Sequence, residues 1–304
     1  MAKTHKVTEF ISLRLASNPE VQKVCFVVFM LLYIAIVLGN FLIVLTVITS
    51  RSLGSPMYFF LSYLSFVEIC YALTTMLKLI SGQLAERKAI SLWGCMTQIS
   101  FLHLFAGTEI FLLTVMACDH YVAICKPLNY HKPAGVCLPG GSSMDMGVST
   151  FLGPNPSHLS FALCGPDVID HYFCDVLPLM KLTCSDTFLI GLLIVANGET
   201  LSLISFLLAS YVIILLHVRT RSSEGRCKAL STCGSYIIVV TLFFGPCVFI
   251  YLGLSTTLSV DKMEAVFYTV ITPLFNPVIY PLRNTEVKKA TKKLWIRTMK
   301  LEEK

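Results

Sequence analysis

Charge is scarce in this chain. Only 14% of its 304 residues are Asp, Glu, Lys or Arg, whereas 55% are apolar. A soluble domain usually carries about 25% charge. One large water-soluble core would suit the composition but not the run lengths, because several apolar stretches reach the roughly 20 residues that cross a hydrocarbon core. Catalytic signatures are also missing. No nucleophile and base are spaced for hydrolysis, and no glycine-rich phosphate loop occurs. No clear cleavable signal peptide precedes the first apolar run. Residues 1–23 are polar, so that run reads as an anchor that stays. The net charge of +6 does not point to nucleic acid. The basic residues gather at the ends of apolar runs, as they do at a charged membrane face.

The apolar runs themselves carry the architecture. The first, Val24 to Ile48, has no charged residue, and Arg51 follows it. The second runs from about Met57 to Ile80 with Glu68 in its middle. The third runs from about Met96 to Cys118 and carries His103 and Glu109. A fifth runs from about Phe188 to Leu216 with Glu199, a sixth ends near Leu254, and a seventh spans Met263 to Leu282. Residues 133–163, where a fourth belongs, hold four prolines, five glycines and Asp145. No uninterrupted apolar run there approaches spanning length. Hydropathy alone therefore gives six helices and an anomaly.

Charge placement resolves the count. The basic clusters are Arg51, the loop from Lys126 to Lys132, residues 217–228 and the tail. Basic clusters mark the cytoplasmic side. They share that side only if the chain crosses once between Lys132 and Cys164. The expected fold is all-α, a seven-transmembrane-helix bundle with an atypical, broken fourth helix. The proline-freed carbonyls of that helix must be buried against protein. Residues 1–23 then lie outside, 24–282 form the bundle, and 283–304 form a cytoplasmic tail. The tail reads as a short amphipathic helix with Val287, Leu294, Ile296 and Met299 on the bilayer and lysines toward anionic lipid. A solvated charged tail is the plainer alternative.

Four of the twelve cysteines stand apart. Cys95 lies at the outer start of the third run. Cys164, Cys174 and Cys184 lie in the long outer loop, on an oxidising face where disulfides form. Four cysteines allow three pairings, and spacing alone does not choose. Tying the loop to a helix end favours Cys95 with Cys174. A zinc site on His171 and Cys174 competes, but its spacing is loose and the oxidising side disfavours it. Inside the bilayer, Glu68 and Glu109 sit near mid-depth on neighbouring runs. Charged groups there are costly and have a partner or a task. Two neighbouring carboxylates do not both ionise unpaired. A shared proton or a bound cation such as sodium would settle them, with Asn40 and Asn276 in the same polar cluster. A neutral hydrogen-bond network would serve as well.

Five motifs then make a resemblance specific. They are Gly39-Asn40, "PMYFFLSYLSFVEIC" at 56–70, "MACDHYVAICKPLNY" at 116–130, "KALSTCGSY" at 228–236 and "TPLFNPVIYPLRN" at 272–284. Together they resemble the olfactory receptor branch of the rhodopsin-like G-protein-coupled receptors over nearly the whole chain. The resemblance implies a plasma-membrane receptor, amino end outside, that binds small volatile odorants and activates a stimulatory olfactory G protein. It implies no cofactor beyond a sodium ion near Glu68 and Glu109. It implies disulfides Cys95–Cys174 and Cys164–Cys184. His103, Ala106, Gly107, Ser202, Phe206 and Tyr251 would line the odorant cavity, although ordinary helix packing also explains such residues. Asp119, His120, Tyr121, Phe244, Asn276, Pro277 and Tyr280 would serve the switch and the G protein. Ligand would act by shifting a population of conformers.

The chain departs from the family pattern in three places. His120 stands where the family has arginine, and a histidine lacks the fixed charge and the fork of donors. Cys118 and Tyr236 are changed in the same inner region. The stretch 131–163 does not resemble the family's hydrophobic fourth helix. The amino-terminal stretch has no Asn-x-Ser/Thr acceptor. These departures allow a folding-impaired or non-signalling relative as the alternative. A transporter or channel is a remote one, since no inverted repeat or polar pore stripe occurs.

Overall fold

The structure is a computed structural model. It describes residues 9–12, 18–50, 53–84, 89–125, 168–169, 174, 212, 267–271, 273–275, 277, 279 and 285–302. Among the described residues three long helices dominate: α1 (Pro19–Thr49), α2 (Pro56–Leu84) and α3 (Leu92–Cys125). All three are long and apolar enough to cross a membrane, over Pro19–Thr49, Pro56–Gly82 and Leu92–Ala117. α1 begins where its sequence says it should. Asn18 caps it by accepting the Glu20 N–H at 2.9 Å, and Pro19 fills the first helical position, where no donor is needed. Lys23 pairs with Glu20 on that exposed first turn.

α2 packs against both α1 and α3. α1 buries a narrow stripe, Phe29, Ile36, Asn40, Ile43 and Thr46, at near-helical spacing. Phe29 and Ile36 join Ala72, Met76, Leu79 and Ile80 of α2 and Val270 in one apolar cluster. Val270 belongs to a π-helical turn, Phe267–Ile271, inside the seventh run. The tail forms a helix, Thr285–Glu302, that packs on the inner end of α1.

Among the described residues, three short strands cap the opposite end. β1 (Glu9–Ser12) is central. It runs antiparallel to β2 (Ala89–Ser91), with Glu9 opposite Ser91, and parallel to β3 (Val168–Ile169), with Ile11 opposite Val168. Ser91 ends β2 and also caps α3, accepting the Gly94 N–H at 3.1 Å. The strand therefore passes straight into the helix.

This sheet fixes the topology. β2 leads directly into the first turn of α3, and α3 has 34 residues, about 51 Å of helix. Its far end, Cys125, is on the opposite side of the molecule from β3. The polypeptide from Cys125 to Val168 thus starts at one end of α3 and finishes at the other. The amino-terminal strand and the loop carrying β3 share one side. That is the side assignment expected from the basic clusters.

Element ends extend the sequence reading. α1 starts five residues before Val24, and α3 runs seven residues past Cys118. In the tail helix, Val287 and Ala290 are buried and Leu294 is half-buried, which sets the docked face. Ile296, expected on the same face as Val287, is exposed nine residues on, where the helix has turned to the lysine side.

Candidate functional site

α3 carries Cys95, His103, Ala106, Gly107, Glu109, Asp119, His120 and Tyr121 of the expected site on one rod. Near its outer end, Cys95 is bonded to Cys174, with Cα atoms 5.3 Å apart. That settles the first pairing and leaves Cys174 no thiolate for a zinc ion. Cys164 and Cys184 lie outside the described residues. The turns below Cys95 hold His103, Ala106 and Gly107. Ala106 is half-buried, Gly107 is buried, and the backbone at His103 is helical. Ser202, Phe206 and Tyr251, the other expected lining residues, lie outside the described residues.

Polar groups line the inside of the bundle. Asn40, Glu68 and Gln98 are buried, as are Thr46, Ser65, Thr75 and Glu109. Glu68 and Glu109 are thus withdrawn from lipid on the two packed helices α2 and α3, as their cost in a bilayer requires. Outside, the pattern is the opposite. Val24, Leu31, Leu38, Phe41 and Ile48 of α1 and Phe59, Tyr63 and Phe66 of α2 are exposed.

Asn40 shows why one buried polar side chain is needed. Pro277 has no N–H, so the carbonyl four residues earlier, at Pro273, loses its helical donor. Asn40 Nδ2 donates to that carbonyl at 3.1 Å and to Ile36 O at 3.0 Å. Gly39 lets the proline approach. A Cβ at Gly39 would lie 3.0 Å from the Pro277 ring, closer than packed carbons sit. The Gly39-Asn40 motif is therefore a seat for the proline of the seventh run. Asn276, Tyr280 and Phe244 lie outside the described residues.

The inner end completes the rod. Asp119, His120 and Tyr121 lie in the last turns of α3, beyond the span that ends at Ala117. Asp119 is half-buried, and its Oδ2 is buried with no hydrogen-bond partner among the described residues. Burial pushes its carboxyl above the ordinary carboxylate value. The tail helix is latched to α1. The Thr46 and Thr291 hydroxyls lie 3.4 Å apart, and Thr291 also donates to Val287 O at 2.9 Å.

Sequence reasoning missed three parts of this site. The outer sheet uses strands of two to four residues, too short to show a period. Gln98 is the second, although an amide one turn after a disulfide cysteine in an apolar helix is a signal. The Pro273 carbonyl was also readable, since every helical proline frees one acceptor.

Comparison with known proteins agrees with the motifs. A family profile for olfactory receptors matches residues 29–298. The human protein olfactory receptor 4X2 is 67% identical over 309 aligned residues, covering 98% of this chain and all of the relative. Human olfactory receptor 4S2 is 54% identical, covering 100% of this chain and 99% of the relative. Mouse olfactory receptor 4B13 is 51% identical, covering 97% and 98%. The chain belongs to the olfactory receptor family, the seven-helix, rhodopsin-like receptors of the plasma membrane that signal and do not catalyse.

Proposed function

We propose that this chain binds a small volatile odorant in the outer half of its bundle and passes the event along α3 to a heterotrimeric G protein of the stimulatory type. The observation that carries the reading is the continuity of α3. One unbroken helix joins His103, Ala106 and Gly107 to Asp119, His120 and Tyr121. Gly107 and Asp119 are twelve residues apart, or about 18 Å of rigid helix. Ser202, Phe206 and Tyr251 would complete a cavity that is mostly apolar with a few orienting polar groups. Binding would favour the conformer whose inner end accepts the G protein, with Phe244, Asn276, Pro277 and Tyr280 in the moving part. No bond is made or broken in the receptor.

Three finer assignments belong to the same reading. Glu68 and Glu109 would share a proton or hold a sodium ion. Their burial on packed helices fits both, since either removes one unit of charge repulsion. The tail helix would rest on the inner leaflet with its exposed Lys288, Lys289, Lys292 and Lys293 near anionic lipid and Trp295 at the interface. The stretch 133–163 would make the crossing that the positions of Cys125 and Val168 demand.

His120 favours a second reading of the output alone, a receptor that couples weakly. Its side chain is shorter than arginine's and lacks the rigid fork of donors. The test is cyclic AMP in cells expressing the chain with a stimulatory G protein, exposed to mixtures of short-chain volatile alcohols, aldehydes and acids. A response that grows in His120→Arg supports both readings. Surface-displayed chain that gives no cyclic AMP in either form, to any mixture, contradicts the signalling reading.

A further inference from the structure

The outer end of the bundle holds a contact that the disulfide does not account for. Cys174 and Cys95 are both fully buried. The Cys174 N–H donates to Gln98 Oε1 at 3.2 Å. Gln98 Nε2 in turn donates to Thr74 O of α2 at 3.1 Å. Gln98 is only 6% exposed. It lies three residues after Cys95, so both side chains project from the same face of α3. The disulfide ties the loop to α3 alone. The amide ties it to α3 and α2 together. A side chain with only a donor or only an acceptor cannot make both bonds, and an apolar one would strand the buried Cys174 N–H.

The same loop is held again five residues upstream. β3 pairs with β1, and β1 pairs with β2, which runs into α3. The loop is therefore pinned at Val168–Ile169 by backbone bonds and at Cys174 by a disulfide and an amide. We propose that Gln98 is a positioning residue of the odorant site. It seats the Cys174 segment across α2 and α3 at the outer mouth of the bundle, and it keeps that segment seated when the disulfide is open. Only the word odorant in this assignment rests on the cavity reading above.

The test needs no odorant. Full-length receptor in lipid nanodiscs is followed by amide hydrogen exchange, with and without reduction of the disulfide, reading the peptide that contains Cys174. Wild type should exchange slowly there before reduction and keep most of that protection after it. Gln98→Met fills the same volume without the hydrogen bonds, and it should exchange about tenfold faster even with the disulfide intact. Gln98→Glu keeps the acceptor for the Cys174 N–H but loses the donor to Thr74 O, so protection at Cys174 should fall only part of the way to the Gln98→Met level. Gln98→Met exchanging as slowly as wild type would overturn the proposal, as would wild type falling to the Gln98→Met level on reduction. If Gln98→Met also exchanges fast throughout α1 and α2, it has lost its fold and Gln98→Glu decides. Partial protection at Cys174 in that variant supports the clamp, and complete loss of protection there overturns it. Failure of the clamp would leave the receptor reading untouched.

Discussion

α1 and α2 run side by side, and the more apolar helix is the less buried of the two. In water that ranking would be reversed. α1 turns Val24, Leu31, Leu38 and Ile48 outward and spends its narrow buried stripe partly on Asn40 and Thr46. α2 lies between two neighbours and hides Ser65, Glu68 and Thr75. The difference teaches that the solvent of this protein is hydrocarbon. Apolar side chains gain nothing by leaving it, so burial goes to groups that lipid cannot satisfy.

The sharpest way to break this contrast is a charge on the outward face of α1. Leu38 is 61% exposed. Leu38→Asp should nearly abolish surface display, because an acidic residue at a helix centre costs about 2.5–3.5 kcal/mol on insertion. Leu38→Phe should be displayed as wild type. Flow cytometry of a tagged chain checks both. A second, smaller effect is expected on the inward face. Asn40→Leu is more apolar, yet it should lower the melting temperature of purified receptor. It strands the buried Pro273 carbonyl, at a cost of about 1–3 kcal/mol.

Asp119 tests the inner end. Burial raises its carboxyl above the ordinary value. A group raised in the folded state contributes stability below its unfolded value, and that contribution is lost as pH rises through its folded value. At neutral pH the buried carboxylate is therefore a burden. Asp119→Asn, always neutral, should melt at or above wild type at pH 7 and show a flatter melting profile on the acid side. The smallest effect belongs to the exposed tail pair. Lys289 and Glu286 lie 3.4 Å apart in solvent, so Lys289→Ala should leave melting unchanged.

Much of this was legible in the sequence for physical reasons. Long charge-free runs such as Val24 to Ile48 have one solution in a bilayer, and α1 follows. Cys95 at a helix start and Cys174 in an outer loop invited the bond that forms. Basic clusters placed the amino end and the 165–187 loop on one side, and β1 pairing with both β2 and β3 agrees. Other features were not legible. The π-helical turn at Phe267–Ile271 leaves no period in five residues. The docking of Val287 and Ala290 of the tail helix on α1 was not legible either, because the packed neighbour sets which face is covered. The contact of Thr46 with Thr291 joins residues 245 positions apart, which no local pattern reports.

The chain crosses the membrane so that the amino-terminal strand and the Cys174 loop meet outside. One epitope tag at the amino end and another in the 165–187 loop, away from Val168 to Cys174, test this directly by staining intact and permeabilised cells. Both tags should be visible on intact cells. An amino tag visible on intact cells with a loop tag visible only after permeabilisation would contradict it.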